Sequence, residues 1–405
     1  MSVNPRVSVI IPTLRAGNDL RRALESLGSD KTAPPHEVVV VFNAPIPSDI
    51  EVSRYHPCAR ALENMRNLGF AKACNLGAKE SEGEFLAFIN DDMVVGEGWL
   101  DALLTRMRES ETLAAGGRIL SENGKYVDFG GGSINIIGWG FQIEHGEPVE
   151  REGFVVRDVL PFACGGNFAI KRSLFEEAGG FDGGYFAFYE DVDLGWRLHL
   201  MGHNIAYAPD AVTFHSGGAT GSLMPSPLKW FLQERNALQT IIKNYSGEVL
   251  WRVLPIAFAL VCVRAQILSG LDSHDFVDDR TWHEWVLGES LPEFQEKEGR
   301  IWQGLLDSVK ESLKAGMKAA RKASLPHGYL PIESRSAGGI YALEWCLRNW
   351  DEIMEKREKV QMLRKREDRE IIATFEDPLR PVLGHPREVE AMSPLEGILN
   401  EILGN

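Results

Sequence analysis

The sequence predicts an α/β protein with a mainly parallel sheet flanked by helices, followed by a mostly helical C-terminal region. Short runs rich in β-branched and aromatic residues predict buried strands at residues 6–11, 37–42 and 85–89. Apolar residues at helical spacing predict helices between these strands, at 19–27 and 69–80. Strands that alternate with helices are typical of a parallel sheet.

Elements of both kinds continue along the chain. Further strands are predicted at 113–119, 205–208 and 212–215, and further helices at 99–108, 173–178 and 192–201. Pro225 and Pro227 then punctuate a linker, after which the pattern is mostly helical. We therefore expect an α/β domain over 1–222 and a helical region over 223–405. Within that region, helical patterns fall at 230–244, 301–323 and 341–372, and the second of these carries Lys310, Lys314 and Lys318.

Composition narrows the class of protein. The 405 residues carry a formal net charge of -15, which argues against broad nucleic-acid binding because such binding needs a basic face. The five cysteines are odd in number and show no CxxC pair, so a reducing compartment is favoured over a disulfide framework or a zinc site. No charged stretch followed by an apolar region precedes the first strand, so we expect no signal peptide.

The longest apolar run lies at 252–264 and contains Pro255. It is shorter than the roughly 20 apolar residues that span a bilayer. A buried helix and a helix lying on a membrane surface are both consistent with it.

Polar residues follow three of the predicted strands, at Pro12-Thr13, at Asn43 and at Asn90-Asp91-Asp92. In open parallel sheets, ligands bind at the carboxyl ends of the strands. Carboxylate oxygens there suit Mg²⁺ or Mn²⁺, which share their coordination with substrate phosphates. Two adjacent acids after a strand are also consistent with a plain polar turn.

Two later features are candidates for chemistry. Asp191, in the cluster Glu190-Asp191-Val192-Asp193, is a candidate general base if it faces a cleft. The same cluster also suits the first turn of a helix, where acidic residues are stabilised by the helix dipole. His215 precedes glycines and is a candidate to complete a metal site with Asp92, although a surface histidine is the simpler interpretation.

Taken together, residues 6 to about 220 resemble the family 2 glycosyltransferases of the GT-A fold. The resemblance is carried by three segments: VSVIIPTLRAGNDL, NLGFAKACNLGAKESEGEFLAFINDDMVV and GGNFAIKRSLFEEAGGFDGGYFAFYEDVDLGWRLHLMGHNIAYAPDAVTFHSGG. More loosely, the segments 234–245 and 357–369 resemble members, such as rhamnosyltransferases, that elongate membrane-linked glycans.

The resemblance implies roles for matching residues. Asp92 corresponds to the metal-binding carboxylate of a DxD-type motif, His215 to a histidine of the metal site, Asp191 to the catalytic base and Glu190 to the acceptor side. The remaining matches imply contact with the nucleotide or donor: Pro12, Thr13, Asn43, Asn67, Gly69, Asn75, Asn90, Asp91, Gly166 and Asn167. One departure is Phe42, which stands where the family commonly has an aspartate that reads the base, so the nucleotide stays open.

The resemblance therefore implies an inverting hexosyl- or deoxyhexosyltransferase that uses a divalent metal, Mn²⁺ or Mg²⁺. Its donor would be a nucleotide-diphosphate sugar and its acceptor a glycan or lipid-linked hydroxyl in cell-surface polysaccharide synthesis. No nucleic-acid partner is expected. We expect a cytoplasmic location, with peripheral contact at the inner face of the membrane and homo-oligomers both open.

Four alternatives are weaker. A nucleotidyltransferase acting on a sugar phosphate needs a glycine-rich basic segment after the first strand, and a dehydrogenase needs GxGxxG there; neither is present. A processive synthase carries membrane spans and a QxxRW motif, whereas the segment 233–236 reads QERN. A non-catalytic glycan-binding protein would not need Asp92, Asp191 and His215 together.

Overall fold

The computed structural model describes residues 6–15, 17–45, 51–151, 157–217, 224–270 and 334–404. The helices in these ranges are α1 (Asn18–Ser29), α2 (Phe70–Lys79), α3 (Trp99–Glu109), α4 (Arg172–Glu177), α5 (Glu190–Leu200), α6 (Ser226–Asn244), α7 (Gly247–Ser269), α8 (Ser334–Arg348), α9 (Trp350–Met362), α10 (Asp368–Ile372) and α11 (Pro386–Leu403). The strands are β1 (Val7–Thr13), β2 (His36–Phe42), β3 (Ala59–Glu63), β4 (Phe85–Ile89), β5 (Met93–Val95), β6 (Ala114–Ser121), β7 (Val127–Phe129), β8 (Gly132–Ile134), β9 (Gly140–Gln142), β10 (Val159–Leu160), β11 (Asn167–Lys171) and β12 (Ile205–His215).

A ten-stranded sheet forms the centre of the molecule, and its main path runs β10-β12-β6-β11-β4-β1-β2-β3. Strands β1, β2, β3 and β4 pair in parallel. Strand β11 is antiparallel to both β4 and β6, and β12 is parallel to β6. Six of the eight strands on the main path therefore share one direction, which confirms the predicted mainly parallel α/β sheet. Their carboxyl ends lie at one edge.

Burial explains why these segments are strands. All seven residues of β1 are buried, as are the last five of β2 and the last four of β4. These are the β-branched runs from which the first strands were predicted. Strand β3 was not predicted, because three of its five residues are exposed at the edge of the sheet and no apolar run marks it. The strands predicted at 205–208 and 212–215 are one strand, β12, whose register shifts between Ala208 and Val212.

The C-terminal helices pack against the sheet domain. One hydrophobic cluster contains Val9 of β1, Leu254 of α7 and Leu395 of α11, so the two regions share a core. The boundary at residue 222 stays a prediction, because 218–223 lie outside the described residues. The helix predicted at 301–323, with its lysines, also lies outside them.

The structure changes the predicted lengths of two helical segments in the C-terminal region. The stretch 341–372 is not one helix but parts of three, α8 to α10. The apolar run at 252–264 is the middle of the 23-residue α7. Among the described residues, α7 is the one helix long and apolar enough to cross a membrane, and 39% of its most apolar 18 residues are buried in the protein. Core helices of soluble proteins can be as long and as apolar, so these two properties do not place α7 in a membrane.

A buried ion pair ties α7 to α6. Arg264 donates from Nε and Nη2 to the two carboxylate oxygens of Glu234, both at 2.7 Å. Its Nη1 lies 3.4 Å from Glu388 of α11. All three side chains are at most 1% exposed. Removing one partner of such a pair is costly, because the other charge stays buried without compensation.

We predict that Arg264→Met lowers the free energy of unfolding by about 3–5 kcal/mol, because two buried carboxylates lose their cation. Urea unfolding measures this. The control is Arg22→Met, which breaks the Arg22–Glu122 pair at the surface and should cost less than about 1 kcal/mol. Equal losses in the two variants would contradict the prediction.

Candidate active site

The carboxyl ends of β1, β2 and β4 bring the first predicted cluster together. Thr13 Oγ1 at the end of β1 donates to Asp91 Oδ2 at 2.5 Å. Asn43 N–H donates to the carbonyl of Thr13 at 2.7 Å, which fixes the turn after β2 against β1. Burial raises the pKa of Asp91 to about 6. Pro12 lies within β1, where it pairs with Val41.

The side chain of Asn43 organises the loop before α2. Its Nδ2 donates to Asn67 Oδ1 at 2.9 Å and to the carbonyl of Gly69 at 3.1 Å. Its Oδ1 accepts from Leu68 N–H at 2.9 Å. Gly69 has φ 83°, and a Cβ there would lie 2.4 Å from the carbonyl oxygen of Phe186. Glycine is therefore required, both for the left-handed backbone and for the close approach of the 186 segment.

Asp92 and His215 lie side by side, as the metal-site hypothesis requires. His215 Nε2 is 3.3 Å from Asp92 Oδ2, and β5 and β12 hold the two residues because Met93 pairs with His215. Ser216 donates from its backbone and from its hydroxyl to the carbonyl of Asp92, at 3.1 and 3.0 Å. This fixes the turn that presents the Asp92 carboxylate.

Asp128 completes the arrangement and was missed in the sequence. Its Oδ2 lies 2.5 Å from His215 Nδ1, on the side of the ring away from Asp92. Hydrogen bonds with Asp128 and Asp92 raise the pKa of His215 to about 10. A carboxylate on the second ring nitrogen is the usual partner of a metal-binding histidine, because it orients the ring. A three-residue strand, β7, places Asp128, and so short a strand gives little pattern to recognise.

The chemistry of this pair fits a cation. Asp92 Oδ1 is buried and has no hydrogen-bond partner. Asp92 therefore offers an oxygen ligand, and His215 Nε2 offers a nitrogen ligand once a cation displaces the ring proton that the two carboxylates hold. Within the described part of the chain, no group of three or more His, Cys, Asp or Glu side chains is arranged to hold a metal ion. Further ligands would have to come from phosphate oxygens and water, as is usual for Mg²⁺ at phosphate sites.

Asp191 lies in the first turn of α5, and Gly165 connects it to the strand ends. Gly165 N–H donates to Asp191 Oδ2 at 3.1 Å, and Val192 N–H donates to Oδ1 at 2.9 Å. The next residue, Gly166, packs on Asn90: a Cβ at Gly166 would lie 2.9 Å from Asn90 Nδ2. The candidate base is therefore joined to the Asn90-Asp91-Asp92 turn through two glycines.

The carboxyl group of Glu190 is buried and that of Asp191 is partly buried, and desolvation raises the pKa of each. For Glu190 the pKa rises to about 8, with the neighbouring Asp191 adding to the effect of burial. Glu190 Oε2 has no hydrogen-bond partner. Because a charge on Asp191 opposes ionisation of Glu190, Glu190 keeps its proton at neutral pH.

The segment before α5 has an unusual backbone. Phe186, Phe188 and Tyr189 have φ values of 66, 67 and 65°, in the left-handed region. For residues other than glycine this costs of order 1–3 kcal/mol each and persists only where the surroundings enforce it. The sequence of this segment is rich in aromatic residues, but nothing in its pattern indicates this backbone.

Asn75 and Asn167, two residues predicted to contact the sugar donor, have side-chain amides that form hydrogen bonds within the protein. Asn75 pairs with the backbone of Phe181, donating to its carbonyl at 2.7 Å and accepting from its N–H at 3.0 Å. Asn167 is fully buried, donates to the carbonyl of Ala211 at 2.9 Å and accepts from Trp99 Nε1 at 2.8 Å. Both amides hold the scaffold together, and their contact with a donor stays a prediction.

Phe42, the departure noted in the sequence, is 1% exposed and belongs to the hydrophobic core. Its ring therefore offers no face on which a base could stack. Base recognition at this end of the site falls to other groups.

The chain is similar in sequence to known proteins. Residues 8–179 match the model of glycosyl transferase family 2. Over 245 residues the chain is 30% identical to the N-acetylglucosaminyl-diphospho-decaprenol L-rhamnosyltransferase of Mycobacterium tuberculosis, covering 53% of this chain and 77% of that protein. The chain belongs to glycosyl transferase family 2, which confirms the resemblance seen in the sequence.

Other similarities are partial. The chain is 28% identical over 233 residues to O-antigen biosynthesis protein RfbC of Myxococcus xanthus, covering 53% of this chain and 18% of that protein. It covers 26% of protein y4gI of Sinorhizobium fredii, so it spans about a quarter or less of these two relatives. A crystal structure of GalNAc-T7 with UDP, GalNAc and Mn²⁺ aligns with TM-score 0.48 and 17% identity, over 64% of this chain and 52% of that one.

The buried acids of the site allow a prediction about pH. The folded state keeps the proton of Glu190 up to a pH of about 8, whereas the unfolded chain releases it near 4.5. Stability is therefore lost as the pH rises between these values. We predict that Glu190→Gln removes this loss, so that the variant gains at least about 1 kcal/mol over the wild type between pH 5 and 8.5.

Urea unfolding at the two pH values, with EDTA present, measures this difference. Glu177→Gln is the control, because Glu177 is exposed and should show no such gain. A stability difference between Glu190→Gln and the wild type that does not change with pH would contradict the prediction.

Proposed function

We propose that the protein is a metal-dependent inverting glycosyltransferase. It transfers a hexosyl or deoxyhexosyl group from a nucleotide-diphosphate sugar to a hydroxyl of a glycan or lipid-linked acceptor, in cell-surface polysaccharide synthesis. The observation that carries this proposal is the connection from Asp191 through Gly165 and Gly166 to Asn90. It joins a partly buried carboxylate to the carboxyl edge of the sheet, where family 2 membership implies that the donor lies.

The proposed reaction is a single displacement at the anomeric carbon of the donor sugar. The acceptor oxygen attacks the anomeric carbon as Asp191 takes its proton, and the bond from that carbon to the diphosphate breaks. Burial raises the pKa of Asp191, which strengthens it as a base near neutral pH. A divalent cation held by Asp92 and His215 would neutralise charge on the departing diphosphate. Asp128 orients the His215 ring for that purpose.

The names of the relatives support the substrate class. A rhamnosyltransferase acting on a lipid-diphosphate acceptor and an O-antigen biosynthesis protein both match this chain over about half its length. Both names point to glycans of the cell surface. The choice of sugar, nucleotide and linkage is not carried by these names, because pockets that set such choices vary among proteins of one fold.

We predict that Asp191→Asn lowers kcat by about 10²–10⁴-fold while donor binding is retained, because the amide cannot take a proton. Release of nucleoside diphosphate from UDP-, dTDP- and GDP-sugars with Mn²⁺ measures turnover, and thermal shift measures donor binding. Asp92→Ala should lose both turnover and the Mn²⁺-dependent thermal shift.

Near-normal turnover of Asp191→Asn would exclude Asp191 as the base. Release of pyrophosphate instead of nucleoside diphosphate would favour nucleotidyl transfer. Donor binding without turnover in the wild type, with every donor and acceptor tried, would favour a glycan-binding protein.

We also propose that the protein works at the inner face of the membrane, docked through α7. The middle of this helix has an apolar outward face, on which Ala259 and Cys262 are exposed and Ile256 is half-buried. Such a face binds membrane interfaces by burying apolar area. A lipid-linked acceptor would meet the enzyme there.

We predict that the protein floats with liposomes containing anionic lipid and that the double change Ala259→Glu and Cys262→Glu abolishes flotation, because charges oppose burial in the interface. Tyr126→Glu, at an exposed position of the sheet domain, is the control and should float. Failure of the wild type to float would contradict docking.

A further inference from the structure

The loop that leads into the candidate base is held by the C-terminal region. Arg235 of α6 donates from Nη2 to the carbonyls of Gly184 and Tyr185, at 3.1 and 2.7 Å. Lys243 of the same helix donates to Asp182 at 2.7 Å. These contacts fix the first half of the loop, up to residue 185.

Asn236 fixes the second half. It lies on α6 and is fully buried. Its Nδ2 is 3.2 Å from the carbonyl oxygen of Tyr185, 2.9 Å from that of Ala187 and 2.6 Å from that of Phe188. An amide nitrogen carries two hydrogens, so three carbonyls converge on two donors. Only a donor suits this place, because an acceptor would repel all three.

The orientation of this amide is set from its other side. Asn236 Oδ1 accepts from Arg235 Nε at 2.9 Å and from Gln239 Nε2 at 3.3 Å. Both neighbours offer only donors at these atoms, so the oxygen must face them and the nitrogen must face the loop.

The carbonyls that Asn236 binds belong to the left-handed segment. Phe188 is one of its partners and also has φ 67°, and Tyr189, directly after it, has φ 65° and immediately precedes α5. A residue in this conformation redirects the chain sharply, so its hydrogen bonds determine where the first turn of α5 points. Asp191 lies in that turn.

We infer that Asn236 is a positioning residue for glycosyl transfer: its amide holds the carbonyls of Tyr185, Ala187 and Phe188 so that Asp191 faces the acceptor. This inference rests on the proposed function. The residue acts through the backbone of Phe188 and Tyr189 and touches no reacting atom. The helical region after the sheet domain therefore completes the catalytic site, in addition to packing on it.

The test compares Asn236→Asp and Asn236→Ala with Arg357→Met. Asn236→Asp keeps the size and the acceptor oxygen but replaces the donor by a second oxygen. Asn236→Ala removes the amide and leaves room for water at the carbonyls. It serves as the second variant in case the buried carboxylate of Asn236→Asp prevents folding. Arg357 donates to the carbonyls of Ile242 and Tyr245, both at 2.6 Å, so its loss removes buried hydrogen bonds of the same region without touching the loop.

Two measurements are made on the full chain. The first is kcat and donor KM for nucleoside diphosphate release, with whichever UDP-, dTDP- or GDP-sugar the wild type turns over fastest with Mn²⁺. The second is hydrogen exchange of amides 186–193 without any ligand. We expect kcat to fall by about ten- to hundredfold with donor KM within about twofold, and protection over 186–193 to be lost. Arg357→Met should keep kcat within about twofold of wild type, even if its melting temperature falls as much as that of the Asn236 variants.

Either of two results overturns the inference. One is a kcat within about twofold of wild type in the Asn236 variants. The other is a parallel fall of kcat, affinity and melting temperature that Arg357→Met reproduces. If the wild type turns over no donor, the proposed function fails, and hydrogen exchange still decides whether Asn236 holds the loop: unchanged protection over 186–193 overturns that hold.

Discussion

The hydrogen bond from Gly165 N–H to the carboxylate of Asp191 joins two parts of the chain that are built independently. On one side stand the strand ends, where β-branched runs deliver polar residues to the sheet edge with little freedom. On the other stands a helix whose first turn is reached through a strained aromatic loop. The proposed catalytic geometry needs both parts to be fixed, and buried polar contacts such as those of Asn43 and Asn236 fix them.

Buried charges do much of this fixing on the loop side. Burial alone would raise the pKa of Asp182, but the ammonium groups of Lys243 and Lys356 hold that pKa well below its usual range. Lys243 also lies 2.8 Å from Asp193 of α5, which in turn accepts from Arg197 Nε at 2.9 Å. One lysine thus bridges the start of the loop and the helix that follows it. Since each charge has partners, the network tolerates burial that an isolated charge would not.

The strand-end half of the site could be predicted because its signal is local. Asn90, Asp91 and Asp92 follow directly on a buried apolar run, and a strand that ends in carboxylates is visible in eight consecutive residues. The same holds for Asp191, since acidic residues at a helix start are a familiar pattern. Family resemblance then placed His215 with Asp92, and the 3.3 Å separation agrees with that pairing.

The other half could not be predicted, because its signals are distant. Asn236 lies 48 to 51 residues from the carbonyls it binds, and no spacing rule connects a helical asparagine with a loop so far away. Asp128 belongs to a short strand in a glycine-rich stretch without periodicity. Asn75 and Asn167 show what family motifs leave out: their positions match the motifs, and the structure adds that their amides form hydrogen bonds within the scaffold.

The three left-handed aromatic positions have a consequence for synthesis of the chain. A ribosome releases Phe186, Phe188 and Tyr189 well before Asn236, so for an interval the loop exists without the amide that holds its carbonyls. During that interval the sheet and the Asn90-Asp91-Asp92 turn can form, while the left-handed residues of the loop can relax to an ordinary backbone. On the proposed function, the position of Asp191 is then fixed only after α6 has emerged and docked, later than the Asn90-Asp91-Asp92 turn can form.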